Sequence, residues 1–448
     1  MGQHVWVGAL CVAAGLVAAF WPLVLHDPST PDPWPFLATW DDDGNFLHND
    51  LIRSGFSADN LRNMAAMTLI GVWEPMSWAL RTLMFTTCGE SGLAVRRTTL
   101  AFHMASCAVL LLLTRNLVLA HVRRQWRWKA VVVWSRERQG QLPSESSVLR
   151  QHARQWSHVV VRVTVAATVA TALYAVHPLH AEVVGWPSAG SYAPAALLLH
   201  VSLLFAQSRG GSAVLLAATT VTYIAAVMFK SVALLMPVAL VAIDWVAAAQ
   251  NMAIAHAARC ATPNSVRGEQ AAGADCGDAT KRASVGTTVV EGSDEHLGVV
   301  AFASACFRSA IARWPLFVAM AVLLQPIVTA NQGEEGTRTV IDTIQLTPWE
   351  RVAKSMVTPW YFLSKTLAPV FLRPHVSITE GVLSFSDPAC SVAPWCAAAT
   401  ALLAGFAVRH YLRRPYVLSA CGYFIIMMLP VRTLSVWRQT RLVPCNSP

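Results

Sequence analysis

The chain has 448 residues, 54% of them hydrophobic and 13% charged, with a mean hydropathy of +0.44. That balance excludes an ordinary soluble globular domain and points to a polytopic membrane protein. The formal net charge of +9 does not point to nucleic acid, because the basic residues gather between apolar segments, where the positive-inside bias puts them.

A membrane-spanning helix takes about 20 apolar residues, and segments of roughly that length centre on 5–25, 99–120, 159–176, 193–207, 212–229, 232–249, 314–330, 352–372, 394–408 and 416–431. The expected fold is therefore an all-α polytopic bundle of about ten transmembrane helices. The first segment follows Met1-Gly2-Gln3-His4, with no basic region before it and no small-x-small cleavage pattern after it, so it reads as a retained span. The ten cysteines show no CxxC pair, and Cys11, Cys107 and Cys421 fall inside apolar runs as small core residues.

The first loop, taken as 26–98, carries Asp27, Asp32, Asp41, Asp42, Asp43, Asp50 and Asp59 against few bases. The next loop carries Arg123, Arg124, Arg127, Lys129, Arg136, Arg138, Arg150 and Arg154 and is expected to face the cytoplasm. The acidic loop then faces the lumen or the cell exterior. By alternation, the loop 177–192 and the turn at Lys230 share that face.

Within the first loop, Trp40-Asp41-Asp42-Asp43-Gly44-Asn45-Phe46-Leu47-His48-Asn49-Asp50 stands out. Adjacent carboxylates beside a membrane repel one another and must be solvated, paired or bound. A working site and a plain acidic loop are both compatible with these residues alone. From 60 to 88 the pattern is amphipathic, broken by Pro75 and flanked by Trp73 and Trp78, which predicts a helix lying at the membrane interface.

His177-Pro178-Leu179-His180-Ala181-Glu182, followed by Trp186, comes at the luminal end of the third segment. Histidines and a glutamate this close suit a metal, a phosphate or a proton relay. The HxxH spacing specifies no metal by itself, so none is assigned, and a divalent ion is compatible with the set without being required. Lys230 sits between two apolar segments, where a cation needs to snorkel or to find an anion. Asp244, near Trp245, belongs to the cytoplasmic boundary.

Residues 251–308 are rich in Ala, Gly, Ser and Thr and read as a flexible cytoplasmic insert between a module at 1–250 and a second at 309–448. In the second module Arg351, Lys354 and Lys365 surround Trp360-Tyr361-Phe362, a basic and aromatic collar suited to a lipid phosphate or to interface anchoring. If 352–372 spans fully, the Arg413-Arg414 turn is luminal; if it is re-entrant or interfacial, the turn is cytoplasmic. There is no Gly-rich phosphate loop, no GxSxG and no HExxH, so nucleotide hydrolysis and the common hydrolase schemes lack support.

Taken in order, these blocks resemble the multispanning GT-C glycosyltransferases, most closely the transmembrane-and-tetratricopeptide protein O-mannosyltransferase family. Asp42-Asp43 with Asn49 resembles that family's first-loop acidic signature, and Trp73-Glu74-Pro75-Met76-Ser77-Trp78 its aromatic-x-Pro stretch. His103 stands near the start of the second span, and 176–184 is similar to the family's His-Pro-x-His-x-Glu element. Lys230-Ser231, Pro237 and Asp244, then Glu350-Arg351 through Tyr361, Lys365-Thr366 and Pro369, fit later blocks.

The resemblance implies a GT-C-like fold and transfer of a sugar, usually mannose, from a dolichyl-phosphate-type donor to a protein Ser/Thr hydroxyl on the luminal face of the endoplasmic reticulum. It implies Asp42 or Asp43 as the base, His177, His180, Glu182, Glu74 and Lys230 around the substrates, and Lys365 or Arg351 at the lipid phosphate. The partners it implies are the lipid-linked donor and a protein acceptor. Three departures stand against it: no 34-residue self-similarity marks tetratricopeptide repeats, which leaves a separate acceptor-binding partner open; Glu74 occupies a position often held by Arg; and the extra Asp41 leaves the register of the acidic pair open by one residue. The rival readings are a transporter or lipid-handling protein and an inactive scaffold. Transporters keep ionisable residues near the midplane on broken helices, whereas here they cluster at the luminal boundary.

Overall fold

The computed structural model describes residues 3–27, 30–32, 35–38, 41–68, 72–137, 145–208, 212–241, 243–244, 304, 307–332, 348–370, 392–409 and 420–422. The expected insert at 251–308, apart from 304 and 307–308, and the expected tenth span at 416–431, apart from 420–422, lie outside the described residues. Among those described, the regular structure is helical, with no strand.

The first apolar segment forms α1 (Gln3–Ala19) and a short α2 (Trp21–Leu25), separated at Phe20, where Pro22 opens the new helix without needing a backbone donor. The acidic loop folds into a π-turn (Asp43–Leu47), α3 (Asp50–Arg53) and α4 (Ala58–Ala66). Asn49 and Ser57 cap α3 and α4, their side chains accepting from Leu51 N at 3.0 Å and Asn60 N at 3.1 Å. The interfacial stretch forms α5 (Pro75–Cys88), which ends at Gly89 with φ 68°, a conformation open to a residue without Cβ.

Next comes α6 (Gly92–Glu137), begun by two caps: Asp32 Oδ2 accepts from Leu93 N at 2.6 Å, and Ser91 Oγ from Ala94 N at 3.1 Å. At 46 residues it is about 69 Å long, more than twice a hydrocarbon core. The basic stretch expected as a cytoplasmic loop is thus largely the helical extension of α6 and the start of α7 (Glu145–Ala175). There follow α8 (His180–Gly185), a 3-10 turn (Pro187–Ser191), α9 (Tyr192–Ser208), α10 (Ala213–Phe229), a second 3-10 turn (Ser231–Ala233), α11 (Trp314–Gln332), α12 (Pro348–Leu367) and α13 (Ala393–Arg409).

By length and composition, three stretches are able to cross a membrane: Gly92–Arg124, Trp156–Ala175 and Pro187–Ser208. Five more apolar helices, at His4–Ala19, Ala213–Phe229, Ser231–Val241, Trp314–Ile327 and Ala393–Phe406, are shorter. The architecture is that of an all-α membrane protein, with fewer full-length spans among the described residues than the ten apolar segments of the sequence.

The helices pack in a continuous series. α1 lies on α6 and α7, α6 on α7 and α9, and α9 on α10, which reaches α11 and α5, while α12 packs on α13. The largest apolar cluster joins α6, α9, α10 and α11 through Leu113, Leu203, Tyr223, Val227, Leu316 and Leu323. Tyr223 is wholly buried and donates its hydroxyl to Leu234 O at 2.6 Å, which ties α10 to the segment that follows it. At the far end of that segment Asp244 accepts from Arg313 and Ser309, joining the two ends of the chain that flank residues 245–303.

Two glycines mark places where backbones meet. A Cβ on Gly8 of α1 would stand 2.4 Å from Thr168 Oγ1 of α7, and one on Gly190 would stand 2.8 Å from Thr99 Oγ1 of α6. Gly8→Ala is therefore expected to lower stability by about 1–3 kcal/mol, with Gly8→Ala/Thr168→Ala recovering most of the loss in thermal unfolding of the detergent-held protein. Equal losses in the single and double variants would show that α1 and α7 are not in this contact.

Candidate functional site

The first loop, α5, the turn at Pro187–Ser191 and the end of α10 meet around a buried polar network. Asp42 is 0% exposed and both its carboxylate oxygens are engaged: Oδ1 accepts from Ser188 N at 3.0 Å and from Ser188 Oγ, and Oδ2 accepts from Leu37 N at 3.1 Å. Three donors satisfy a charge that would otherwise be costly to bury. Asn45, also buried, donates to Ser188 Oγ at 3.0 Å and accepts from Arg81 Nη1 at 2.9 Å.

Arg81, 4% exposed, crosses the middle of this network. Its guanidinium also reaches Ser188 O at 3.4 Å and Glu74 at 4.0 Å, and lies against the rings of Phe46 at 5.2 Å and Trp78 at 4.6 Å. Burial pushes its ionisation below the ordinary value, against the opposing pull of Glu74, Asp42 and Asp41. Glu74, 2% exposed, forms an ion pair with Lys230, which sits over the Tyr192 ring at 4.8 Å. Burial alone would lower the Lys230 ammonium, but Glu74 more than offsets it and the pKa is raised. Lys230 thus has an anionic partner and does not depend on snorkelling.

Asp43 behaves differently from its neighbour. Its side chain is 44% exposed and its Oδ1 lies 2.7 Å from His48 Nδ1. Of the adjacent pair, Asp42 is enclosed and fully bonded, and Asp43 is the one open to solvent. A narrow cleft beside the network is lined by Phe46, Ser77, Arg81, Thr99 and Ser191, and the buried Ser191 Oγ has no hydrogen-bond partner.

The histidine loop forms a second cluster. His180 of α8 packs against His103 of α6 at 4.7 Å and Tyr174 of α7 at 4.5 Å between ring centroids, with His177 at 6.5 Å. His103 Nε2 lies 3.1 Å from Ala175 O. Burial, reinforced by His103 and His177, pushes the His180 pKa down to about 3. Glu182 lies on the open side of α8. Among the described residues no three His, Cys, Asp or Glu side chains are gathered in a metal-holding arrangement.

His177 Nε2 meets Thr366 O of α12 at 2.8 Å, which brings the C-terminal end of α12 to this loop. Lys365 is there, its Nζ donating to Val370 O at 2.8 Å and lying 5.8 Å from the Tyr361 ring. Arg351 belongs to the other end of the same helix, 14 residues or about 21 Å along the axis. The structure therefore joins Asp42, Glu74 and Lys230 in one network, and His177, His180 and Lys365 in another region, with Arg351 apart from both.

Sequence reasoning missed Asn45, His48, Arg81, Arg96 and Ser188. Arg96 is 5% exposed and donates to Gly185 O at 2.8 Å and Pro35 O at 3.4 Å, tying α6 to both loops. A buried arginine inside an interfacial pattern is the signal that marks Arg81. Asn45 and Ser188 carry no signal apart from the contact itself.

Breaking the Glu74–Lys230 pair from either side leaves a buried charge, so Glu74→Leu or Lys230→Met alone should cost about 3–5 kcal/mol in thermal or denaturant unfolding. The double variant should recover most of it; single losses under about 1 kcal/mol would mean the pair is solvated. Acidification probes the second cluster. Because the folded pKa of His180 lies below the ordinary 6.5, the unfolded chain binds the extra proton. The contribution is complete above about pH 6.5 and is lost as pH falls, by on the order of 1 kcal/mol per pH unit. His180→Gln should flatten that part of the stability profile, and an unchanged slope would show that His180 is freely solvated.

The chain matches no protein-family model, no curated protein and no solved structure.

Proposed function

We propose that this chain is a GT-C-like membrane glycosyltransferase that moves a sugar, mannose by the family resemblance, from a dolichyl-phosphate-type donor to a protein Ser/Thr hydroxyl on the luminal face of the endoplasmic reticulum. The observation that carries the reading is the exposed Asp43 carboxylate beside His48, mounted on a turn whose neighbours Asp42 and Asn45 are buried and bonded. Preorganised basic groups are what draws a proton from a poor nucleophile such as a serine hydroxyl. The shorter apolar helices fit the same fold as spans: 17 residues of α10 cover about 25 Å, a mismatch that local bilayer thinning accommodates.

In this reading the acceptor oxygen bonds to the sugar C1 as the bond from C1 to the phosphate oxygen breaks, and its electron pair leaves on the lipid phosphate. Asp43 supplies the basic end of the site. Lys365 lies with the histidine loop, apart from the first-loop network, and is the cation that the family resemblance assigns to the departing phosphate. Asp42, Arg81, Glu74 and Lys230 hold the loop in place and do not themselves meet the sugar. A divalent metal is not required by these residues, and acceptor recognition belongs to the chain or to a partner protein.

The test is transfer from labelled dolichyl-phosphate sugars to a Ser/Thr peptide by the nanodisc-held protein. Asp43→Asn should lose about 100-fold or more in rate while unfolding like the parent chain. Asp42→Asn should lose stability as well, and Lys365→Ala should raise the donor concentration required. A folded protein that neither transfers sugar nor binds any of these donors would remove the enzymatic reading and favour a transporter or scaffold.

A further inference from the structure

Asp43 and His48 are five residues apart, a spacing that an α-helix sends to widely different faces. Between them the chain makes a π-turn, in which His48 N donates to Asp43 O at 2.8 Å. The wider turn brings the side chains together, Asp43 Oδ1 to His48 Nδ1 at 2.7 Å. π-Turns are rare and recur at functional sites.

The turn is held firmly on its inner side. Asp42 and Asn45 bond to Ser188, Phe46 stacks on Phe36 with centroids 4.6 Å apart, and Asn49 Nδ2 donates to Asn45 O at 3.2 Å. Arg53 Nη2 donates to Leu47 O at 2.8 Å. Against that frame the Asp43 and His48 side chains are directed outward, 44% and 79% exposed. With Nδ1 on Asp43, the ring's Nε2 is left toward solvent.

Resting on the enzymatic reading above, we propose that Asp43 and His48 form a catalytic dyad in which His48 Nε2 takes the proton of the acceptor hydroxyl and Asp43 positions the ring. Asp43 Oδ1 accepts from Nδ1–H, which fixes the tautomer with the lone pair on Nε2. As the hydroxyl oxygen bonds to the sugar C1 and the bond from C1 to the phosphate oxygen breaks, its proton passes to Nε2. The imidazolium, balanced by the Asp43 carboxylate, then gives that proton to the released lipid phosphate or to water. No oxidant, reductant or further reactant is involved.

Histidine is the side chain most often found in this role, and here the carboxylate stays behind it to balance the imidazolium. The charged groups around the pair are already engaged. Asp42 is turned to Ser188, Arg53 pairs with Glu90, and Arg81 meets Asn45 and Glu74. Asp41 and Asp50 flank the turn on either side.

The experiment is the pH dependence of kcat/KM for transfer from labelled dolichyl-phosphate mannose to a Ser/Thr peptide, using the full chain in nanodiscs. The parent protein should lose activity on acidification, where a general base takes up its proton. His48→Gln, checked for folding by thermal unfolding, should lose about 100-fold and lack that limb. A His48→Gln profile superimposable on the parent's overturns the dyad while leaving the enzyme standing; absence of transfer from every dolichyl-phosphate sugar overturns both. Carbethoxylation of His48 at pH 8, read by mass spectrometry, tests the pairing without turnover. Asp43→Asn should slow it by about threefold or more, and an unchanged rate overturns the pairing.

Discussion

The contact between Asp42 and Ser188 is the constraint on which the outer end of the molecule depends. Two loops 146 residues apart meet there through a carboxylate that has no solvent to fall back on. An ionised group in that position persists only if its lone pairs are filled, and here the donors come from both loops. The consequence is positional. Neither the acidic loop nor the turn at Pro187–Ser191 is able to shift without exposing the other's unsatisfied groups. Arg81, Glu74 and Lys230 extend the same constraint to α5 and α10. Buried ion pairs contribute little net stability against apolar alternatives, so what this set supplies is register, with Glu74 at the start of α5 matched by Lys230 at the end of α10.

Register explains why Asp42 and Asp43, adjacent and chemically identical, have different roles. The π-turn that begins at Asp43 directs one carboxylate to Ser188 and the next to solvent. The close approach of Gly190 to Thr99 seats the opposite wall, since a Cβ there would push the Ser188 turn off α6. Local geometry on one side and helix packing on the other therefore converge on a single carboxylate. Rigid support of this kind is what the role proposed for Asp43 requires, because small displacements of a reacting group are costly in rate.

Much of this was legible in the sequence, and the parts that were not have identifiable physical reasons. Apolar runs gave the helices because burial in a bilayer needs little beyond length and composition. The acidic loop, the histidine loop and Lys230 were legible as candidates because polar groups beside apolar segments must find partners. Helix ends were less legible: α6 continues through its basic stretch, since arginine and lysine are good helix formers and charge marks topology without ending a helix. His48 was hidden by the π-turn, which brings together residues that α-helical spacing separates. Arg81 was hidden because an amphipathic reading of 60–88 assigns arginine to water, whereas Asn45 and Glu74 draw it inward. Ser188 has meaning only through a partner 146 residues away.

The same reasoning bears on the second half of the chain. α12 carries Glu350, Arg351, Lys354 and Lys365 over 20 residues and contains Pro359, so it is a poor candidate for a full crossing. It buries Ala353 and Val357, and Trp360 Nε1 donates to Thr400 of α13 at 2.9 Å, while Phe362 and Leu367 stay exposed. Its apolar side chains are thus divided between the contact with α13 and exposed positions. Its C-terminal end is fixed at the histidine loop by the bond between His177 and Thr366. Two hydrogen bonds, one to α13 and one to the histidine loop, thus fix α12 on two neighbours.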